Sequence, residues 1–228
     1  MKIDPQRLAD NLAQVRARME EACRRVGRTD VPRLLVASKY LNVDEMAPLA
    51  GAGIRLVGEN RAEGLREKYE RWKGDLEFHF IGHLQSRKAR SVLPCVSLIH
   101  SVESMSLVEE LDRRAEGETR VLLEVNVSGE ESKYGILPAA AAAFLEQAAV
   151  HERVRFVGLM TMAPLVDDPE QARPCFRGLR ELRDGLAATF AGRYELTELS
   201  MGMSNDYEVA VEEGATIVRI GSALFSDV

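Results

Sequence analysis

Short runs of apolar and β-branched residues recur along the whole chain, and a helix-forming segment separates each run from the next. The strand-like runs are 34–38, 54–57, 77–81, 96–99, 119–127, 154–159, 195–199 and 216–220. The segments between them read as helices over 43–50, 61–72, 85–92, 104–115, 138–150, 169–190 and 206–213. Strands that alternate with helices need right-handed crossovers and form a parallel sheet. Eight such units are the number that closes a (β/α)8 barrel. An open doubly wound sheet is the main competitor, and no GxGxxG follows the first strand, where a dinucleotide fold would carry one. The 228 residues contain no Pro-, Gly- or Ser-rich linker, so one domain over 1–228 is expected.

One long helix precedes the first strand. Asp4-Pro5 is a start signal, with a capping carboxylate followed by proline at the first helical position. Ile3, Leu8, Leu12, Val15, Met19 and Cys23 follow at helical spacing, and Gly27 closes the segment. The expected fold class is therefore α/β, a single (β/α)8 TIM barrel with an extra N-terminal helix.

Composition bounds the function classes. Apolar residues make up 46% and charged residues 29%, as in an ordinary soluble domain with a full core. A net charge of −6 leaves no footprint for nucleic acid or an anionic membrane. The basic stretches Arg24-Arg25 and Arg87-Lys88-Ala89-Arg90 read as solvated helix faces. Three scattered cysteines, Cys23, Cys95 and Cys175, match neither a disulfide framework nor a zinc site. The N-terminus has no signal-peptide core, and no apolar run approaches the roughly 20 residues of a membrane helix. A cytoplasmic protein is expected. No apolar face is left over once the barrel is assembled, which predicts a monomer.

In a barrel the carboxyl ends of all strands face one pocket. The first strand ends at Lys39, a charge misplaced on hydropathy alone. A lysine there is a candidate Schiff-base amine; burial or nearby positive charge would make it nucleophilic. The other strand ends supply Gly58-Glu59-Asn60, Gly82-His83, His100-Ser101, Asn126 with Ser128-Gly129, Met160-Thr161-Met162, Ser200 to Asp206, and Gly221-Ser222. The loops after strands seven and eight are where barrels frequently bind phosphate, and here they carry Ser200, Gly202, Ser204, Gly221 and Ser222. Taken separately, each loop reads equally as turn and capping residues, with Ser204 capping the helix that follows. Arg219 lies inside the last strand and faces either a helix carboxylate outside or a ligand inside. His79 and His83 are four apart, but in a strand and its loop that spacing does not point to a metal.

These segments together resemble a known family. Val36-Ala37-Ser38-Lys39, Gly58-Glu59-Asn60-Arg61, His79 to Gln85, Ile99-His100-Ser101-Val102, Asn126 to Glu130 with Ser132-Lys133-Tyr134-Gly135, Gly158 to Met162, Leu199 to Ser204 with Asp206, and Val218 to Ser222 are similar to the pyridoxal phosphate homeostasis proteins, the PLP-binding YggS/PROSC family. The match runs from about Leu34 to Phe225. The resemblance implies a barrel like the N-terminal domain of alanine racemase, with pyridoxal 5′-phosphate (PLP) held as an aldimine on Lys39. It also implies that Ser200, Ser204, Gly221 and Ser222 cradle the phosphate, that Arg219 faces the pyridine nitrogen, and that Asn60 sits near the ring. Apo-enzymes that use the cofactor are the partners it suggests. Departures fall at Arg87, where asparagine is usual, at Gly64, and at Ser226, where glycine is usual.

An arginine at the pyridine nitrogen disfavours its protonation and makes the ring a weaker electron sink. Racemisation also wants a second acid–base group across the substrate carbon. Alanine racemase takes that group from a further domain and a dimer partner, for which a chain ending at Val228 has no room. The expectation is a non-catalytic carrier in vitamin B6 homeostasis. A low-activity amino-acid racemase is the alternative, and a Schiff-base aldolase of phosphosugars a third reading that lacks the acidic partners it needs near Lys39.

Overall fold

The computed structural model describes residues 3–225; Ser226 lies outside them. Helix α1 (Pro5–Arg25) starts where Asp4 Oδ1 accepts the backbone N–H groups of Gln6 and Arg7 at 2.9 and 3.1 Å. Its buried stripe is Leu8, Leu12, Val15, Met19 and Cys23, the spacing that the sequence predicts, joined by Asn11 and Ala22.

Eight parallel strands then close into a barrel in sequence order: β1 (Arg33–Ala37), β2 (Leu56–Glu59), β3 (Glu77–Phe80), β4 (Leu98–Val102), β5 (Thr119–Glu124), β6 (Val154–Met160), β7 (Glu198–Ser200) and β8 (Ile217–Ile220). β8 closes on β1 with Leu35 opposite Arg219 and Val36 opposite Ile220. Residues of one strand alternate between lumen and helix layer. Leu35, Leu56, Leu98, Leu122, Met160 and Ile217 form a separate cluster inside the lumen. Their neighbours Val36, Val57, Ile99, Val121, Leu123 and Val218 pack outward in the main core. Gly58 faces Leu35 and Ile81, and a Cβ there would collide with both.

The connecting helices are α2 (Ala47–Gly51), α3 (Leu65–Trp72), α4 (Ala89–Val92), α5 (Met105–Arg114), α6 (Ala141–Ala148), α7 (Arg173–Thr189) and α8 (Tyr207–Glu212), with α9 (Ser222–Phe225) as a last turn. Several begin later than the sequence suggests. Gly64 takes φ +76° and delays α3 from residue 61 to Leu65. Short 3-10 turns replace the expected first helical turns at Asp44–Met46, Ser86–Lys88, Pro138–Ala140 and Pro169–Ala172. In the helix layer α1 packs against α8, α9 and α2.

Two strand boundaries differ in ways that affect the site. The second strand runs two residues further than expected, so Glu59 is a strand residue. The fourth begins at Leu98 and includes His100 and Ser101.

Candidate functional site

A cavity of about 320 Å³ opens at the carboxyl ends of β1 and β8, under the loops after β6 and β7. Lys39, Ser204, Arg219, Gly221 and Ser222 all line it, together with Tyr40, Asp206 and the Pro164-Leu165-Val166 segment. A larger cavity of about 480 Å³ lies around Asp75, Glu77 and Ser97 at the opposite end, the face that serves stability in such barrels.

Lys39 follows β1 directly, and its position is set by Ser38. Ser38 N donates to Gly58 O at 3.0 Å, and Ser38 Oγ donates to Glu59 Oε1 at 2.6 Å. Lys68 Nζ, from α3, bonds both Glu59 Oε1 (2.6 Å) and the Ser38 carbonyl (3.1 Å). Glu59 and Lys68 are both buried, so an ion pair inside the helix layer clamps the residue next to the amine. Lys39 itself is exposed, so strand-end burial does not desolvate it. Its Nζ stands 4.7 Å from the centre of the exposed Tyr40 ring, a cation–π contact.

The loops after β7 and β8 are tied together by one hydroxyl. Ser204 Oγ accepts from Gly221 N and Ala223 N, each at 3.2 Å. Ser204 is therefore not the cap of α8; Asp206 holds that position. Asp206 Oδ1 instead accepts Met203 N at 2.6 Å and shapes the loop, while burial pushes its carboxyl up from the usual range. Gly202 takes φ +90° and passes so close to α8 that a Cβ would lie 2.5 Å from Ala210 Cβ.

Arg219 points into the lumen, which decides between the two orientations open from sequence. Its Nη1 donates to Ser200 Oγ at 2.7 Å and its Nη2 to Thr161 O at 2.9 Å. Burial lowers it to about 10, opposed by Glu124 and Asp206, so it stays charged at neutral pH. Ser200 is the buried last residue of β7 and does not line the cavity. Its hydroxyl faces Arg219 and His100 Nδ1 (2.8 Å), a position expected of a supporting residue and not of a phosphate donor.

Asn60 also lies outside the lining residues, just past β2. Its Oδ1 is buried without a hydrogen-bond partner. The loop is held by Gly82, whose missing side chain lets it rest against the Asn60 backbone. Nearby, His83 Nδ1 lies 3.0 Å from Glu103 Oε1 and its ring stacks on Tyr134 at 4.4 Å. Arg87 bonds the Gln85 side chain through Nε and Nη2 at 3.0 and 2.9 Å. Among the described residues no group of three or more His, Cys, Asp or Glu could hold a metal.

The strand ends expected from sequence include Glu59, His100 and Thr161 without assigning them a role, His79 is weighed there only as a metal ligand, and Lys68 goes unnoticed. The signal was strand alternation: His100 stands two residues after the lumen-facing Leu98. Finding it required the correct start of β4.

The residues present suit a ligand that carries an aldehyde, a ring nitrogen and a phosphate. They offer an amine, a guanidinium, and a cluster of backbone N–H groups and hydroxyls, with an unpartnered amide oxygen on the next strand end. Comparison with known proteins places the chain in a family. The family model described as alanine racemase, N-terminal domain, matches residues 3–227. The pyridoxal phosphate homeostasis protein of Aquifex aeolicus is 43% identical over 223 residues, 96% of this chain and 97% of that protein. The human protein of the same name is 36% identical over 210 residues, 86% of this chain and 76% of its own. The solved structure of PipY from Synechococcus elongatus with PLP bound superposes with a TM-score of 0.83 at 33% identity, covering 96% of this chain and all of that one. An alanine racemase of Clostridium difficile shares the fold alone, with a TM-score of 0.77 at 15% identity over 58% of its length. The chain belongs to the pyridoxal phosphate homeostasis protein family, whose barrel is that of the alanine racemase N-terminal domain.

Proposed function

We propose that this protein binds PLP in the cavity at Lys39, as a non-catalytic holder of the cofactor within the cell. One observation carries the reading: Lys39, Arg219, Ser204 and the start of α9 converge on a single cavity at the carboxyl ends of β1 and β8. When bound, the cofactor supplies an aldehyde that condenses reversibly with an amine. Lys39 provides that amine. Ser204, Ser222 and the N–H groups of Gly221 and Ala223 receive the phosphate, with Ser204 Oγ giving up its present hydrogen bonds to those amides. Arg219 faces the ring nitrogen as a donor, so the ring is not protonated there and withdraws electrons weakly. Asn60, expected near the ring, stands outside the cavity lining with its unpartnered Oδ1 buried at the neighbouring strand end. Ser200 acts behind Arg219. The PLP-bound PipY structure supports this assignment, as do relatives named for PLP homeostasis. The whole chain is taken to act as one such unit, a monomer whose partners are PLP and apo-enzymes that need it. Neither nucleic acid nor membrane has a part in this reading.

Purified protein mixed with PLP should develop the visible absorbance of a lysine-linked cofactor, and Lys39→Ala should abolish it. An unchanged spectrum in that variant sinks the reading. Loaded protein incubated with L-amino acids in heavy water should show no sustained α-deuteration; turnover at an enzyme's rate would establish the racemase instead.

A further inference from the structure

Behind Arg219 a line of hydrogen bonds crosses the barrel. Arg219 Nη1 is 2.7 Å from Ser200 Oγ, which is 2.8 Å from His100 Nδ1. His100 Nε2 is 2.9 Å from His79 Nδ1, and His79 Nε2 is 3.0 Å from Glu77 Oε1. Ser200 and His100 belong to β7 and β4, which are not neighbours, so their contact spans the lumen. Ser200, His79 and His100 are at most 1% exposed, whereas Glu77 reaches solvent at the opposite end of the barrel with its side chain 49% exposed.

The two ends fix the direction. A guanidinium can only donate and an ionised carboxylate can only accept. Glu77 is held down to about 2, chiefly by His79 and also by Ser97, whose Oγ donates to it at 2.6 Å. Burial lowers both histidines below the ordinary range and keeps them neutral. Each neutral ring and the serine then have one proton to give. The line has four links, and its four donors are Arg219, Ser200, His100 and His79. One arrangement alone satisfies every link: Arg219 donates to Ser200, Ser200 to His100 Nδ1, His100 Nε2–H to His79 Nδ1, and His79 Nε2–H to Glu77. A proton added to His79 would put two N–H groups face to face unless His100 changed tautomer. That change would take away the acceptor of the Ser200 hydroxyl.

We propose that Glu77, His79, His100 and Ser200 form a one-way hydrogen-bond chain through the lumen that commits the Arg219 guanidinium to its place on the inner wall of the cavity. These are positioning residues: none lines the cavity, and each acts through the next. The inference rests on the reading that the cavity takes PLP only where it concerns the cofactor; the direction of the chain stands on the protein's own groups. Other charges face the rings as well. Arg33 and Glu198 act on His79 besides Glu77, while His79, Arg219 and Arg33 all oppose a charge on His100.

The first test needs no ligand. Nitrogen-15 NMR of histidine-labelled protein at pH 7 should show both rings neutral and protonated on Nε2. A cation or an Nδ1–H tautomer at either ring overturns the chain. The second test uses PLP-loaded protein whose fold is checked by circular dichroism. Ser200→Ala should weaken PLP binding roughly tenfold and move the pH midpoint of the cofactor absorbance by about half a unit or more, while Ser200→Thr restores both. A folded Ser200→Ala protein with an unaltered midpoint and affinity overturns the positioning role. Failure of the wild-type protein to take PLP would sink the functional reading, and the NMR result would still decide the chain.

Discussion

Glu124 ends β5 two residues beyond the lumen-facing Leu122 and is 2% exposed. Burial, with Glu103 adding to it, pushes its carboxyl up to about 7 against the pull of Arg219. Its folded value lies above its unfolded one, so the folded protein holds a proton there that the unfolded chain has released. Its contribution to stability is fully present below about pH 4.5 and is lost as pH rises through about 7. Glu124→Gln should match the wild type near pH 4.5 and exceed it by about 3 kcal/mol at pH 8 in urea unfolding. Equal stabilities at pH 8 would show that the carboxyl ionises without penalty. At this scale the sequence is unevenly legible. Lys39 announces itself because a charge ends an apolar run, and Arg219 because a charge interrupts one. Ser200 does not, since a serine at a strand end is chemically ambiguous until its neighbours across the lumen are known.

At the scale of elements, β1, β2 and α3 act as one clamp. Glu59 on β2 and Lys68 on α3 meet at 2.6 Å, and both bond Ser38. A buried pair gives little net stability, but removing one partner leaves an uncompensated charge. Lys68→Met should therefore cost about 3–5 kcal/mol, and Glu59→Gln added to it should recover most of that loss. PLP affinity should fall with the single variant, because the Ser38 carbonyl, next to Lys39, loses the bond from Lys68. A double variant no more stable than the single one would locate the cost in packing of the lysine stem. The strand–helix alternation was legible in outline because apolar period is dictated by burial. The beginnings of helices were not: the Gly64 backbone and the short 3-10 turns answer to loop closure around the barrel, which a local window does not contain. The shift of β2 to Leu56–Glu59 brought Glu59 into the clamp, and nothing in its local sequence distinguishes that register.

Over the whole molecule, the extra N-terminal helix completes the barrel and reaches the site. α1 lies against α8, α9 and α2, and its buried Asn11 Nδ2 donates to Leu224 O, inside α9, at 3.2 Å. Sequence periodicity predicts α1 but not this seat, because its neighbours α8, α9 and α2 lie outside its local sequence. α9 begins at Ser222, and Gly221 N and Ala223 N both point at Ser204 Oγ, so the helix that α1 supports carries the proposed phosphate contacts. Asn11→Ala leaves the Leu224 carbonyl without this partner, at a cost of about 1–3 kcal/mol. Its effect on binding should be selective. PLP and pyridoxal share the aldehyde and the ring, and only PLP brings a phosphate to α9. The variant should therefore bind PLP several-fold more weakly while its weaker affinity for pyridoxal stays within about twofold of the wild type. Isothermal titration with both ligands makes the comparison. Equal losses for the two would mean that α1 steadies the barrel as a whole, and would break the proposed path from the N-terminal helix to the phosphate.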